Sequence, residues 1–305
     1  MRKTAIILSL AVAGFAFSVP VYAQEKLGLL VIAHGSPGSQ WNKPVLELET
    51  EVKNIFSERD VSPFREIRVA LMEFSEPSVS TAIKDLEDAD IDRIYAIPLF
   101  IAPSGHSLYD VPTILGLYSD KEMVESIKEE GTTIVDTKIK ITLGPTLRTG
   151  NVLKEVMLDR VKELSTAPDS EGVVLLAHGE ACFEPIWAAT CREVGSHICA
   201  ETGIDYFDYA FVGIGHSFIS EGVPVILKTA HKRSRTIVVG LYLSMGVDNM
   251  AENSTLSIGM MKIDSKHVFD NKNIHFAKRG LLPDKRIAEW IADRALEWVE
   301  NLHRP

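Results

Sequence analysis

The sequence predicts an α/β protein made of two similar (βα)₄ halves, each a parallel sheet flanked by helices, with a cleft between them. Short apolar runs alternate along the chain with amphipathic stretches, a pattern typical of parallel sheets covered by helices on both faces. An apolar run followed by His-Gly occurs twice, at His34 and His178. A second pair of apolar runs begins at Ile94 and Ile237, at nearly the same interval. The two matched pairs indicate duplication of a unit of roughly 140 residues.

Four strand–helix units are predicted in the first half. The run Leu27–Ala33 is apolar throughout, as expected of a strand buried on both faces, and 44–56 has apolar residues at helical spacing. The predicted strands are Leu27–Ala33, 66–72, 92–101 and 133–141. The predicted helices are 44–56, 78–86, 111–129 and 147–164.

The second half repeats this layout with strands at 172–177 and 237–243 and a final amphipathic helix at Lys285–Leu302. Between the halves, residues 165–170 are Ser, Thr, Ala, Pro, Asp and Ser, which is linker composition. We therefore divide the chain into a half at 24–165 and a half at 171–305.

Residues 1–23 have the pattern of a secretory signal peptide. A short basic start precedes an apolar stretch too short to span a bilayer comfortably, and small residues lead to Ala23. We expect cleavage near Ala23, export (to the periplasm if the cell is bacterial), and no stable membrane anchor afterwards. The alternatives are an uncleaved anchor or a first buried helix.

Composition limits the partners. The chain has 32 Lys and Arg against 42 Asp and Glu, a net charge of −10, which argues against nucleic acid or an anionic membrane as the main partner. Cys182, Cys191 and Cys199 are too few for a disulfide scaffold. One bridge is compatible with an oxidising compartment, but we favour three buried thiols that act as small apolar residues. Apolar helices leave room for a homo-oligomer.

Three reactive side chains follow predicted strands of the first half. His34 follows the first strand, Glu73 the second, and His106 lies in the loop after the third. Because ligands of open parallel sheets bind beyond the carboxyl ends of the strands, we expect these side chains to converge. Imidazole and carboxylate suit a divalent ion such as cobalt, iron, nickel or zinc. Glu73 is a ligand, a partner that orients a histidine, or a proton acceptor; its residue type leaves these alternatives open.

The second half does not repeat the triad. His178 corresponds to His34 and His216 falls near the position of Glu73, but the loop at 243–248 has no histidine. We therefore place the metal site in the first half and expect His178 and His216 to line the cleft. The other histidines are predicted to be surface or structural residues: His197, His231, His267, His275 and His303.

At these residues the chain resembles the sirohydrochlorin cobaltochelatase and ferrochelatase family, the type II tetrapyrrole chelatases. The similar segments are VIAHGSPG (31–38), LMEFSEPSV (71–79), IPLFIAPSGHSLYDVP (97–112) and LGPTLR (143–148). The second half resembles the family only through AHGE and its layout. Two departures are Pro37, where an Arg often follows His-Gly-Ser, and the pair Leu108-Tyr109 before Asp110.

The resemblance implies a chelatase-like fold that holds a metal-free macrocycle in its cleft. It implies that His34, His106 and Glu73 bind the metal and act in catalysis. The substrate contacts that we expect are Ser36, Ser104, Gly105, Asp110, His178 and His216. The metal, Co²⁺ or Fe²⁺ with Ni²⁺ as an alternative, is then a substrate, and no organic cofactor is predicted.

Sirohydrochlorin is a polycarboxylate, so an acidic protein needs local cations to bind it, and Lys43, Arg148 and Lys228 are the candidates. The predicted activity is insertion of a divalent metal into sirohydrochlorin or a related tetrapyrrole. The alternative is a periplasmic protein that binds or carries the metal or the tetrapyrrole without turnover.

Overall fold

Two four-stranded sheets, all of whose strands are parallel, form the framework, as predicted. The computed structural model describes residues 25–61, 63–213, 217–258, 261–270, 272–302 and 304. Within these residues the strands are β1 Leu27–Ala33, β2 Phe64–Leu71, β3 Arg93–Pro98, β4 Lys140–Leu143, β5 Glu171–Ala177, β6 Phe207–Phe211, β7 Arg235–Leu241, β8 Thr255–Ile258, β9 Met261–Asp264 and β10 Ile274–Phe276.

Helices separate most of these strands. They are α1 Ser39–Glu58, α2 Val79–Asp88, α3 Val111–Ile114, α4 Lys121–Glu129, α5 Val152–Lys162, α6 Glu184–Thr202, α7 Val223–Lys232, α8 Asp248–Asn253, α9 Ser265–Val268 and α10 Lys285–Leu302. A π-helical turn precedes α3 and another precedes α7, at His106–Asp110 and Phe218–Gly222.

The two sheets have the same strand order, which supports the predicted duplication. The first sheet runs β2-β1-β3-β4 and the second runs β6-β5-β7-β10. In each, the first strand of the half lies between the second and the third. The C-terminal ends of these three strands are therefore neighbours at one edge of each sheet.

Side chains of β1 alternate between two cores, as the period of a strand requires. Leu29 and Val31 belong to a core shared by both halves, together with α1 and the buried residues of the second sheet. Leu30 and Ile32 face the opposite way and pack against α2, α3 and α4. The first sheet is thus buried on both faces, which explains why its first strand is a continuous apolar run.

The last helix of each half packs against the other half. Helix α5 contacts β7 and α6, whereas α10 contacts α1 and β3. Trp298 of α10 stacks on Tyr95 of β3 with ring centroids 4.9 Å apart, and Trp290 donates a hydrogen bond to the Thr149 carbonyl at 2.7 Å. The strands of the first sheet all precede residue 165 and those of the second all follow residue 170, but the helices do not keep to this division. Sequence periodicity does not reveal the exchange, because both helices are amphipathic wherever they dock.

Several predicted elements of the first half are shorter in the structure, such as β3 and α5, and two differ in a way that has a clear local cause. The helix predicted at 111–129 is interrupted between α3 and α4, because Gly116 has φ +71° and ends α3, and Asp120 caps α4 by accepting from the Met123 N–H. The strand predicted at 133–141 is confined to β4, since the Val135 N–H donates to the carbonyl of Ile114 instead of a strand.

The remaining findings concern a hairpin outside the two sheets, the cysteines, the N-terminal segment and membrane spans. The antiparallel hairpin β8–β9 was not predicted. Cys182, Cys191 and Cys199 are free thiols; Cys191 is buried as predicted, but Cys182 is exposed and Cys199 is only partly buried, so the prediction of three buried thiols is wrong for those two. The predicted signal peptide lies outside the described residues. Within those residues, no helix combines the length and apolar character that crossing a membrane requires.

Candidate metal site

The C-terminal ends of β1, β2 and β3 bring three predicted site residues to one edge of the first sheet. His34 directly follows β1, Glu73 lies two residues beyond β2, and His106 begins the π-helical turn after β3. Two backbone hydrogen bonds extend the sheet ladder into these loops, from the Met72 N–H to the Ala33 carbonyl at 2.8 Å and from the Leu99 N–H to the Ile32 carbonyl at 2.7 Å. The loops are therefore fixed relative to one another.

His34 and Glu73 form an ion pair across the first two loops. The Nδ1 atom of His34 lies 2.8 Å from Oε1 of Glu73 and 3.0 Å from the Gly35 carbonyl oxygen. The approach of the loops depends on Gly35, because a Cβ atom there would lie 1.8 Å from the Glu73 carbonyl oxygen. This contact gives a physical reason for glycine after the histidine.

The environment of His34 favours its protonated form. Burial lowers the pKa of the imidazole, but hydrogen bonds to Glu73 and to the Gly35 carbonyl, together with the negative charges of Glu73 and Asp110, outweigh that effect. The net result is a pKa above the ordinary value of 6.5. His34 is therefore a more basic imidazole than one free in water.

His106 lies against His34 and has its own carboxylate partner. The two imidazole rings are nearly perpendicular, at 86°, with centroids 4.8 Å apart. Nδ1 of His106 lies 2.6 Å from Oδ2 of Asp110, one helical turn further along. The ring of Phe100 stacks beside His106 at 6.0 Å between centroids. Asp110 thus orients His106, and its predicted contact with the substrate stays a prediction.

The arrangement is suited to binding a metal through two imidazoles. The Nδ1 atom of each ring faces a carboxylate, and the Nε2 atoms of both have no hydrogen-bond partner among the described residues. A carboxylate at the second ring nitrogen fixes the tautomer and raises the basicity of a ligating imidazole. Within the described ranges no group of three or more His, Cys, Asp and Glu side chains is arranged to hold an ion. In this structure Glu73 orients His34, and its predicted role as a third ligand stays a prediction.

A buried asparagine that the sequence analysis missed holds the loop after His34. Asn42 accepts from the Ser36 N–H at 2.9 Å and donates to the Ser36 carbonyl at 2.7 Å, and it also donates to the hydroxyl of Ser75. Ser75 in turn donates to the Ser36 carbonyl at 2.9 Å. An Asn on the apolar face of the helix predicted at 44–56 would have been the signal, but Asn42 precedes the predicted start.

The loop before His106 is held by its own serines. Ser104 is buried, and its N–H donates to the hydroxyl of Ser107 at 2.9 Å. The N–H of Gly105 donates to the carboxylate of Glu180, a residue that the sequence analysis did not single out. Ser104 and Gly105 therefore build the turn that presents His106, and their contacts with substrate, like that of Ser36, stay predictions.

The second half contributes His178 next to this loop. The imidazole is exposed, and its Nδ1 atom lies 2.8 Å from the Gly179 carbonyl, which repeats the geometry of His34 and Gly35. Unlike His34, His178 has no carboxylate partner among the described residues. Its position two residues before Glu180 places it near the His106 loop. His216, the other predicted cleft histidine, lies outside the described residues.

The three candidate cations for substrate carboxylates all have acidic neighbours. Lys43 lies 3.8 Å from Glu47. Arg148 pairs with Glu193 at 3.0 Å, and Lys228 pairs with Asp208 at 2.7 Å. Lys43 also lines an open pocket of about 540 Å³ beside the loops that carry Ser36 and Ser75. Of the three, Lys43 is the best placed for a ligand at this edge.

Three exposed apolar residues lie close to Glu73 or His106 in the sequence. Phe74, directly after Glu73, is 66% exposed and has φ +64°, an uncommon conformation for an aromatic residue. Leu108 and Tyr109, within the turn that begins at His106, are also exposed, and Tyr109 lies 6.1 Å from the ring of Tyr118. Exposed apolar patches mark interaction surfaces or ligand-binding grooves.

The fold is a parallel α/β structure of two sheets, and the site is a pair of histidines, each supported by a carboxylate, at the edge where the strands end. The tetrapyrrole metal chelatases belong to this class of protein. A family model described as CbiX matches residues 28–164. A sirohydrochlorin cobaltochelatase from Methanococcoides burtonii is 31% identical over 141 residues, which cover 46% of this chain and 98% of that protein. The chain belongs to the sirohydrochlorin cobaltochelatase family.

Another relative is aligned over a smaller share of its own length, and a solved structure is similar in fold alone. A sirohydrochlorin cobaltochelatase from Methanococcus maripaludis is 34% identical over 92 residues, 30% of this chain and 58% of that protein. The crystal structure of the sirohydrochlorin chelatase SirB from Bacillus subtilis subspecies spizizenii, in complex with cobalt, superimposes with a TM-score of 0.59 at 16% identity. That alignment covers 90% of this chain and 96% of SirB, so the likeness of fold extends over both halves.

Proposed function

We propose that this protein inserts a divalent metal, Co²⁺ or Fe²⁺, into sirohydrochlorin or a related metal-free tetrapyrrole. The observation that carries the proposal is the His34–His106 pair, in which each ring is fixed at Nδ1 by a carboxylate and offers Nε2. Membership of the cobaltochelatase family supports the same reaction.

Two imidazoles give a metal substrate the intermediate strength of binding that transfer requires. A structural site closes all four positions around an ion, whereas two protein nitrogens leave positions open for water and for the incoming pyrrole nitrogens. The carboxylates of Glu73 and Asp110 hold the two rings still while the metal is passed on.

Insertion also removes two pyrrole protons, and the site holds groups that can accept them. A neutral imidazole accepts a proton near neutral pH, and positioned proton transfer accelerates reactions by about 10²–10⁴-fold. Once the metal leaves Nε2 for the ring, the same nitrogen is free to take a proton. Glu73, already in contact with His34, stabilises the resulting imidazolium.

Exposed apolar side chains next to this site support a flat macrocycle as the second substrate. The exposed residues are Phe74, which follows Glu73, and Leu108 and Tyr109, which follow His106. Their apolar surface suits the face of a conjugated ring. Lys43 supplies a positive charge for a peripheral carboxylate.

Absorbance spectroscopy tests the proposal. Purified protein is mixed with sirohydrochlorin and, in separate reactions, Co²⁺, Fe²⁺ and Ni²⁺, and the conversion of the free-ring spectrum to the metal-complex spectrum is followed. Protein-dependent conversion with Co²⁺ or Fe²⁺ is the expected result. Stoichiometric binding without conversion would instead favour the carrier function.

We also propose that the protein is exported after cleavage near Ala23, on the strength of the basic, apolar and small-residue pattern of residues 1–23. Fractionation of cells that express the full chain, followed by N-terminal sequencing of the product, tests this proposal. A mature protein that begins near Gln24 outside the cytoplasm is expected, and a cytoplasmic product that retains residues 1–23 would contradict it.

A further inference from the structure

A carboxylate from the second half reaches across to the loop that carries His106. The backbone N–H of Gly105 lies 3.1 Å from both Oε1 and Oε2 of Glu180. Glu180 follows His178 and Gly179, and Gly179 turns the chain there with φ +67°. A carboxylate from the second half thus contacts the residue directly before a histidine of the metal site.

Through this contact, the Gly105 N–H gains a hydrogen-bond acceptor that the turn itself does not provide. Gly105 precedes the π-helical turn His106–Asp110, and N–H groups at the start of a helical turn have no partner within it. A carboxylate is favoured there by both hydrogen bonding and charge. Gly105 also permits the close approach, because a Cβ atom at this position would lie 3.0 Å from Oε1 of Glu180.

We infer that Glu180 is a positioning residue for His106, and that through it the second half sets the direction in which His106 presents Nε2 to the metal. The inference rests on the proposed chelatase function and adds a role for the half that lacks a complete triad. Glu180 holds the start of the turn at Gly105, and Asp110 holds the Nδ1 atom of the His106 ring. Without Glu180, the Asp110 hydrogen bond, the serine contacts within the loop and the ring contacts with His34 and Phe100 are what hold the imidazole among the described residues.

The halves also share contacts that do not involve the site, and one of these supplies a matched control. Lys285 of α10 pairs with Glu58 at the end of α1 at 3.0 Å, and neither residue contacts His34, His106 or their carboxylates in the described structure. Glu58→Ala therefore removes an acidic side chain of the same length and an inter-half contact, and leaves the His106 loop intact.

The experiment compares Glu180→Ala, Glu180→Gln and Glu58→Ala with the wild type in the full chain. For each protein we would measure kcat and KM for Co²⁺ with sirohydrochlorin, the visible absorption of bound Co²⁺ without tetrapyrrole, and the melting temperature. Loss of a group that orients a metal ligand typically lowers metal affinity or activity by about 10- to 100-fold. We expect a loss of that size in Glu180→Ala, together with an altered Co²⁺ spectrum.

Glu180→Gln separates positioning from a role that needs charge. Gln retains a carbonyl oxygen that accepts from the Gly105 N–H, so its kcat and Co²⁺ spectrum should stay close to those of the wild type. Equal losses in Gln and Ala variants would overturn the inference, since they would indicate a ligand or a proton acceptor. If Glu180→Ala does not fold, Glu180→Asp takes its place, because its shorter side chain withdraws the carboxylate from the Gly105 N–H and the same losses are expected.

Two further outcomes overturn the inference or separate it from the proposed function. Full activity and an unchanged Co²⁺ spectrum in Glu180→Ala, or an equal loss in Glu58→Ala, would reject a specific effect on His106. A wild type that inserts no metal, but whose Co²⁺ spectrum still depends on Glu180, would reject the chelatase function and retain the positioning role.

Discussion

The imidazole of His34 lies edge-on to that of His106, with 4.8 Å between the ring centroids. No local motif produces this contact, because the two residues lie in different loops of the chain. It arises because β1 and β3 are parallel neighbours in the sheet, so that the loops that follow them leave from the same edge. The carboxylates of Glu73 and Asp110 then hold each ring at Nδ1.

Removal of either imidazole should abolish most of the metal insertion. His34→Ala and His106→Ala each take away one of two metal-binding nitrogens and a proton acceptor, so we expect losses of at least about 100-fold in kcat/KM. His267→Ala is the control, since His267 is an exposed histidine paired with Asp270 outside the site. An assay of all three variants checks this, and full activity in His106→Ala would reject the assigned site.

The carboxylates should matter as orienting groups. Glu73→Gln and Asp110→Asn preserve the size of each side chain but remove the charge that holds Nδ1, so activity should fall by about 10- to 100-fold. Both variants should still bind Co²⁺, with weaker affinity by isothermal titration calorimetry. Complete loss of Co²⁺ binding in Glu73→Gln alone would show that Glu73 is a metal ligand.

Gly35→Ala should destabilise the protein and disturb the site together. The new Cβ would meet the Glu73 carbonyl oxygen, which belongs to backbone and cannot move aside alone, so we expect a loss of about 3 kcal/mol in the free energy of unfolding. Gly38→Ala is the matched control, because its Cβ would lie 3.6 Å from the nearest atom, the Ser36 hydroxyl oxygen. Urea denaturation measures both, and equal stability of the two variants would contradict the close approach.

Asp284 should stabilise the contact between the halves in a pH-dependent way. Burial raises the pKa of this carboxyl group, but hydrogen bonds from Arg286 and the charges of Arg286 and Arg160 outweigh it and hold the pKa below 3.8. The stabilisation is therefore present above the ordinary pKa and is lost as the pH falls through the lowered value. At neutral pH, Asp284→Asn leaves Arg160, with a side chain only 3% exposed, short of one partner, and we expect a loss of about 3 kcal/mol.

The control for Asp284 is another ion pair between the halves. Asp293→Asn breaks the exposed pair with Arg59, which should change the free energy of unfolding by less than about 1 kcal/mol. Denaturation at several pH values should show the difference between Asp284→Asn and wild type shrinking in acid. A difference that stays constant down to the acid limit would contradict the lowered pKa.

Periodicity predicted the elements whose burial is uniform. β1 and α10 have the predicted bounds, because one is apolar throughout and the other has a regular apolar face. The interruption between α3 and α4 was missed although Gly116 and Asp120 signal it, since the apolar pattern continues across the gap. The exchange of α5 and α10 between the halves was beyond sequence reasoning, because an amphipathic face does not specify its partner.

The site was also predicted only in part, because topology determines where strands end but not how side chains pair. Strand-end topology placed His34, Glu73 and His106 at one edge, and the structure does bring them together. The orienting roles of Glu73 and Asp110 depend on side-chain geometry that residue types do not determine. Glu180 was missed because its contact is with a backbone N–H of the other half, and nothing in the local sequence marks such a partner.

The position of a bound Co²⁺ ion tests the central claim most directly. Crystals of the protein grown with Co²⁺ and without tetrapyrrole, measured at the cobalt absorption edge, would locate the ion by anomalous scattering. We predict a peak about 2.1 Å from Nε2 of both His34 and His106, with Nδ1 of each ring still facing its carboxylate. A cobalt ion bound elsewhere, or bound at this edge through neither imidazole, would contradict the account.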